Sequence, residues 1–249
     1  MSPYTTNLEH LHAELYRLDL LIEQAVQQFR ASRQQHTPAE FPGLYISDDE
    51  IDRSISAQTE HPHESQTKVI ELQAAIQQRV AATRSTDVTL RLPYLQQIFD
   101  LSPFEIDLLL LAIAPEIDLR YQRLYAYLQD DVTRKRPSVE LALRLFCCSL
   151  TERVKARAAF SPDSTLLDRH LLLLHEDPID RPSPLLSRSL KLDDRIAEFL
   201  LGSDRPDSSL LQPVPLVQII EPQQQLQDLE LPEPIARSLQ QIGTLETRS

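Results

Sequence analysis

Glycine is almost missing: 249 residues contain only Gly43, Gly202 and Gly243. Loops that cradle phosphate need several glycines close together, so that backbone N–H groups approach the anion and adopt positive φ. Three this far apart build neither G-x-x-x-x-G-K-[ST] nor G-x-G-x-x-G. Tryptophan is absent and aromatics make up 6%. Leucine leads the apolar set instead, and side chains that lose little rotamer freedom in a helix favour helix over sheet. Cysteine is confined to the adjacent pair Cys147 and Cys148, too few for a disulfide framework and a poor bite for tetrahedral zinc. Positive charge is short as well: 25 bases against 37 acids leave a net −12, which repels a duplex. The longest purely apolar run, Leu108 to Ala114, is too short to cross a bilayer. The first ten residues, MSPYTTNLEH, have neither a basic start nor an apolar signal core. A soluble cytoplasmic protein without membrane association is the expectation. No G-x-S-x-G elbow and no H-E-x-x-H pair occurs, so neither an enzyme nor a cofactor is expected.

What is present is mainly helical. Leu8, Leu11, Leu15, Leu18, Ile22, Ala25 and Phe29 alternate three and four apart and predict one long helix over 7–33. A polar stretch over 34–66 reads as a loop, with a turn near Tyr45 to Ile55. Val69, Leu72, Ile76, Val80 and Thr83 predict a second amphipathic helix over 65–84. The economical arrangement folds the two stripes together as an antiparallel hairpin; a coiled-coil dimer through the first helix is the alternative.

Capped helices follow. Ser102-Pro103-Phe104-Glu105 is a capping box with proline at the first helical position. It opens a helix to Ala114 that is apolar nearly all round and therefore central. Ile117, Tyr121, Leu124 and Leu128 form a one-sided stripe; Pro137-Ser138 starts another helix; Ser149 and Glu152 make a second capping box for a helix to Phe160. Leu171 to Leu174 and the evenly spaced Leu186, Leu190 and Leu192 predict two strands joined by a proline-rich loop, and Asp193 caps a helix ending at Gly202. Helices followed by such a ribbon outline a winged helix. The organisation expected is a helical hairpin with its polar loop over 1–90, a winged-helix domain with a small β-ribbon over 91–203, and an acidic proline-rich linker with a short terminal helix over 204–249.

The string Leu101-Ser-Pro-Phe-Glu-Ile-Asp-Leu-Leu-Leu-Leu-Ala-Ile-Ala-Pro-Glu-Ile-Asp, then Arg120-Tyr-Gln-Arg-Leu-Tyr-Ala-Tyr-Leu-Gln-Asp-Asp, and Asp131-Val-Thr-Arg-Lys-Arg-Pro-Ser-Val-Glu-Leu-Ala-Leu-Arg-Leu, resembles the N-terminal winged-helix region of bacterial AAA+ ATPases. The likeness is clearest over 92–202. It implies a non-catalytic module that engages a protein substrate or assembly and works with an ATPase core, in cis or in trans. The core's own phosphate loop has no counterpart among these residues.

One local basic feature stands against the acidic background. Arg134, Lys135, Arg136, Arg144, Arg153, Lys155 and Arg157 outnumber Asp131, Glu140 and Glu152. Arg134, Lys135, Arg136, Arg153, Lys155 and Arg157 are the candidate contacts to phosphate or to an acidic partner. Nucleic acid is the less favoured of these, because aromatic interleaving is lacking. His10 and His12, two apart on a helix, point to different faces. His61 and His63 flank a proline in the expected loop. The cysteines read as small hydrophobes at a helix end, and Tyr121, Tyr125 and Tyr127 as packing residues.

Overall fold

A computed structural model describes residues 2–34, 62–176 and 182–205. The expected turn near Tyr45, His61, the side chain of His63 and the tail from 206 lie outside the described residues. The described residues up to Asp204 form one compact unit.

Helix α1 spans Asn7–Gln34 and α2 Pro62–Thr83. The second helix begins three residues earlier than expected and takes in His63, since proline at the first helical position forfeits no hydrogen bond. The two run antiparallel: the Tyr4 N–H donates to Thr83 Oγ1 at 2.8 Å, and Arg79 pairs with Glu9. The hairpin therefore forms, but its stripes do not bury each other as expected. Leu11, Leu15, Leu18, Ile22 and Val26 belong to the main core, while Ile76 and Val80 pack with Tyr4 and Leu90 in a separate cluster. Leu8, in the first turn of α1, is 67% exposed although the spacing puts it on the stripe.

The reason lies in α4, Pro103–Ile117, after α3, Arg91–Phe99. Every residue from Leu108 to Ala114 is buried, and a helix apolar all round must be covered on all sides. α1 supplies one cover, with α5, Arg120–Leu128, and α6, Val139–Phe146, supplying others. α4 also runs past its expected end at Ala114, through Pro115. A proline there leaves the Leu111 carbonyl without its helical donor, and the buried Tyr125 hydroxyl donates to that oxygen at 2.9 Å. That bond requires tyrosine rather than phenylalanine.

Polar side chains also fix α1 on this core. Arg17 pairs with Asp107 on α4 and, at 2.8 Å, with Glu14. Asp19 accepts from Arg120 at 2.6 Å and from the Tyr121 hydroxyl at 2.8 Å. Buried pairs of this kind add little net stability but penalise any register that separates them.

Helix α7, Leu150–Ala156, continues as a 3-10 turn, Arg157–Phe160, and α8 spans Thr165–Asp168. Strands β1, Leu172–His175, and β2, Ser189–Leu192, pair antiparallel with Leu172 opposite Leu192. Leu186 lies in a 3-10 turn, Leu185–Ser187, rather than in the expected strand. A third segment adds to the ribbon: the Val139 N–H donates to Arg188 O and the Leu190 N–H to Pro137 O. The fold is thus mainly α with a small antiparallel ribbon.

Helix α9, Asp194–Leu200, is capped by Asp193 and closes at Gly202, whose φ of 108° only glycine adopts readily. With so few glycines, other left-handed positions fall to Asp100, Asp130 and His170. The end of α9 is held by Arg91, which donates to the carbonyls of Phe199, Ser203 and Gly202 and pairs with Asp204 at 2.8 Å.

Candidate interaction surface

Helix α6 stands beside the ribbon, and α7 follows it after the turn Cys147–Ser149. Ser138 caps α6, its hydroxyl accepting from the Leu141 N–H, and Val139, Leu141, Ala142 and Leu143 are buried. α6 is an anchored helix. α7 is not. Ser149 and Glu152 form the expected capping box, yet no residue of α7 is buried. Leu150 is 78% exposed and Val154 61%. The segment is tethered by its far end, where buried Phe160 meets Phe104 edge-to-face at 6.1 Å, and Phe104 meets Phe146 likewise at 6.3 Å.

Between α7 and the start of α4 lies a cleft of about 680 Å³. Phe104, Phe146, Ala156 and Ala159 give it an apolar floor, with Glu152 and Lys155 at the rim. At 100° per residue, Glu152, Lys155 and Ala156 share one side of α7, while Leu150, Val154 and Arg153 share the other. The aliphatic pair therefore points away from the cleft. Cys147 is buried and Cys148 exposed, so only the first fits the expected small-hydrophobe role. Burial raises the Cys147 thiol's pKa, and Glu152 nearby adds to this.

The six candidate basic residues divide between two elements. Arg134, Lys135 and Arg136 occupy the turn before α6, which the Gln129 side chain holds by donating to the carbonyls of Arg134 and Arg136 and accepting from the Ser138 N–H. Arg134 is paired with Asp131 at 3.3 Å. Thr133, through its hydroxyl and N–H, and Arg134 hold the Asp131 carboxyl below the usual carboxylate range. Arg136 faces the ribbon: burial first, then Arg136 and Lys191, lower the His175 imidazole's pKa. Arg153 is half-buried on α7, and Lys155 and Arg157 are exposed. Among the described residues, Lys135, Arg136, Arg153, Lys155 and Arg157 form no ion pair. The ribbon's own bases are paired, Arg188 with Glu176 and Lys191 with Asp194, each at 2.7 Å. Arg144 donates to the Leu128 carbonyl and faces Glu140 at 3.8 Å.

His10 is buried and His12 exposed. Among the described residues no group of three His, Cys, Asp or Glu side chains could hold a metal ion. Burial, with Arg79 and Arg17 nearby, lowers the His10 pKa to about 4. Tyr121, Tyr125 and Tyr127 are all buried and pack rather than offering open ring faces. Sequence reasoning missed Arg17 and Asp107. A signal was present: His10, Glu14 and Arg17 follow four-three spacing beside the apolar stripe, so they share a helix face.

A family model described as winged helix domain, variant, matches residues 1–213. That span takes in α1 and α2 together with the ribbon. No curated protein matches the chain, and no solved structure does.

Proposed function

From the membership of this chain in the variant winged-helix domain family, we propose that it is a non-catalytic interaction module of the type that precedes a AAA+ ATPase core, and that it engages a protein partner. Winged helices serve both nucleic-acid binding and protein interaction. The observation that favours protein is α7, which follows the turn after α6 as a recognition helix would. It offers Leu150 and Val154 to solvent, and aliphatic side chains gain little against a phosphate backbone. The paired state of Arg188 and Lys191 on the ribbon and the net −12 point the same way. The AAA+ association rests on the strings over 101–145, and the ATPase core is the partner it implies, in cis or in trans. Free thiols at Cys147 and Cys148 agree with a cytoplasmic setting.

The second reading, nucleic-acid binding through Lys135, Arg136, Arg153, Lys155 and Arg157, draws on their lack of ion pairs. An electrophoretic assay at low and moderate salt separates the two. The protein reading expects no tight duplex complex. A tight, salt-sensitive complex lost on Arg153→Glu with Arg157→Glu overturns it. Steady ATP hydrolysis by the purified chain would contradict the non-catalytic assignment.

A further inference from the structure

Among the described α-helices, α7 is the one with no fully buried residue, although Ala156 packs partly against the core and Arg153 is half-buried. Its outer face nevertheless carries Leu150 and Val154, one helical turn apart. Two large aliphatic side chains on adjacent turns make a small contiguous apolar ridge rather than singly scattered exposure. The flanks are basic. Arg153, Lys155 and Arg157 have no ion pair among the described residues, and the only acid in the segment, Glu152, is occupied by the N–H groups of Cys148 and Ser149. A locally positive, aliphatic face therefore stands on a chain of net −12.

We infer that the outer face of α7, built on Leu150 and Val154 and flanked by Arg153 and Arg157, docks an acidic amphipathic helix of a partner protein. This rests on the protein-interaction reading above and names its surface and the chemistry of its partner. A ridge of residues four apart seats between the corresponding rows of a second helix, whose apolar side chains at three-four spacing cover Leu150 and Val154. Glutamates flanking that stripe pair with the arginines. Such rim charges select the partner and speed its encounter, while the aliphatic contact holds it. The capping box keeps the face formed before the partner arrives, so little ordering is left for binding to drive.

The test uses the full chain and labelled designed peptides in fluorescence anisotropy. One peptide has leucines at three-four spacing flanked by glutamates; the other has lysines in place of the glutamates. The glutamate peptide is expected to bind at least about tenfold tighter at low salt, with the gap narrowing as salt rises. Leu150→Asp with Val154→Asp should weaken it by at least about tenfold, and Arg153→Glu with Arg157→Glu should reverse the preference between peptides. The urea midpoint of each variant confirms that it is folded. Equal affinities, or binding untouched by the aspartates, overturn the inference. If the chain self-associates and Leu150→Asp restores the monomer, the occupant is a second copy and the inference falls. If neither peptide nor a DNA duplex binds, this surface assignment fails while the protein reading stands. If the duplex binds more tightly than either peptide, both fail.

Discussion

Helices α4 and α7 begin the same way and end in opposite environments. Each opens with a serine hydroxyl accepting from the N–H of a glutamate three residues on, while that glutamate's carboxylate accepts from the serine N–H. α4 then runs through Leu108 to Ala114 and is enclosed by α1, α5 and α6. α7 reads Leu-Thr-Glu-Arg-Val-Lys-Ala and leaves Leu150 and Val154 exposed along its outer side. The capping box fixes where a helix starts. Whether the fold needs that helix depends on how far round its surface the apolar residues extend. One of these helices organises the core, and the other stands beside it with its aliphatic side chains facing water.

That contrast can be broken or sharpened by measurement. The largest effect is expected at its buried pole: Leu109, wholly buried, replaced by Ala should cost about 3–5 kcal/mol in urea unfolding. Leu150→Ala should change stability by no more than about 0.5 kcal/mol; similar losses for the two would erase the difference. Next comes the helix that covers α4. His10, with a folded pKa of about 4, stays neutral in the folded state while the unfolded chain takes up a proton below its ordinary value near 6.5. The folded state therefore binds fewer protons in that window. Stability contributed by His10 is complete above about pH 6.5 and is lost as pH falls towards 4, by about 3 kcal/mol. His10→Gln should flatten that part of the pH–stability curve, and an unchanged slope would refute the assignment. Smaller still, Tyr125→Phe leaves the Leu111 carbonyl without its donor and should cost about 1–2 kcal/mol, read as a shifted urea midpoint. No change would mean that Pro115 needs no such compensation.

Much of the fold is legible in local signals because those signals act locally. Both capping boxes, the proline entry at Pro103, the Ser138 and Asp193 caps and the leucines of the ribbon form where the spacing places them. What a helix packs against is a different matter. Spacing alone pairs the α1 stripe with its neighbour in sequence, whereas α4, about a hundred residues on, has more apolar surface to cover and takes it. Leu8 and Val26, five full turns apart, share one face of α1, yet Val26 is buried while Leu8, in the first turn, is exposed: position along the helix as well as face decides burial. Spacing puts Arg17 on a polar face with His10 and Glu14, but its pairing with Asp107, like that of Arg91 with the end of α9, joins residues far apart in sequence and no spacing rule reports it. The candidate site was half legible. Its basic residues are visible as a run, but their division between the Gln129-held turn and α7 depends on how the chain folds. The exposure of Leu150 and Val154 was hidden, because a helix opened by a good capping box gives no hint that its aliphatic side chains stay outside.

By the inference above, the outer face of α7 serves a partner rather than the fold. The urea midpoint of the Leu150→Asp, Val154→Asp double variant tests it most directly. Stability within about 0.5 kcal/mol of the unaltered chain is expected, because Leu150 and Val154 are exposed. A loss of about 2 kcal/mol or more, as for charges forced into a core, would contradict it.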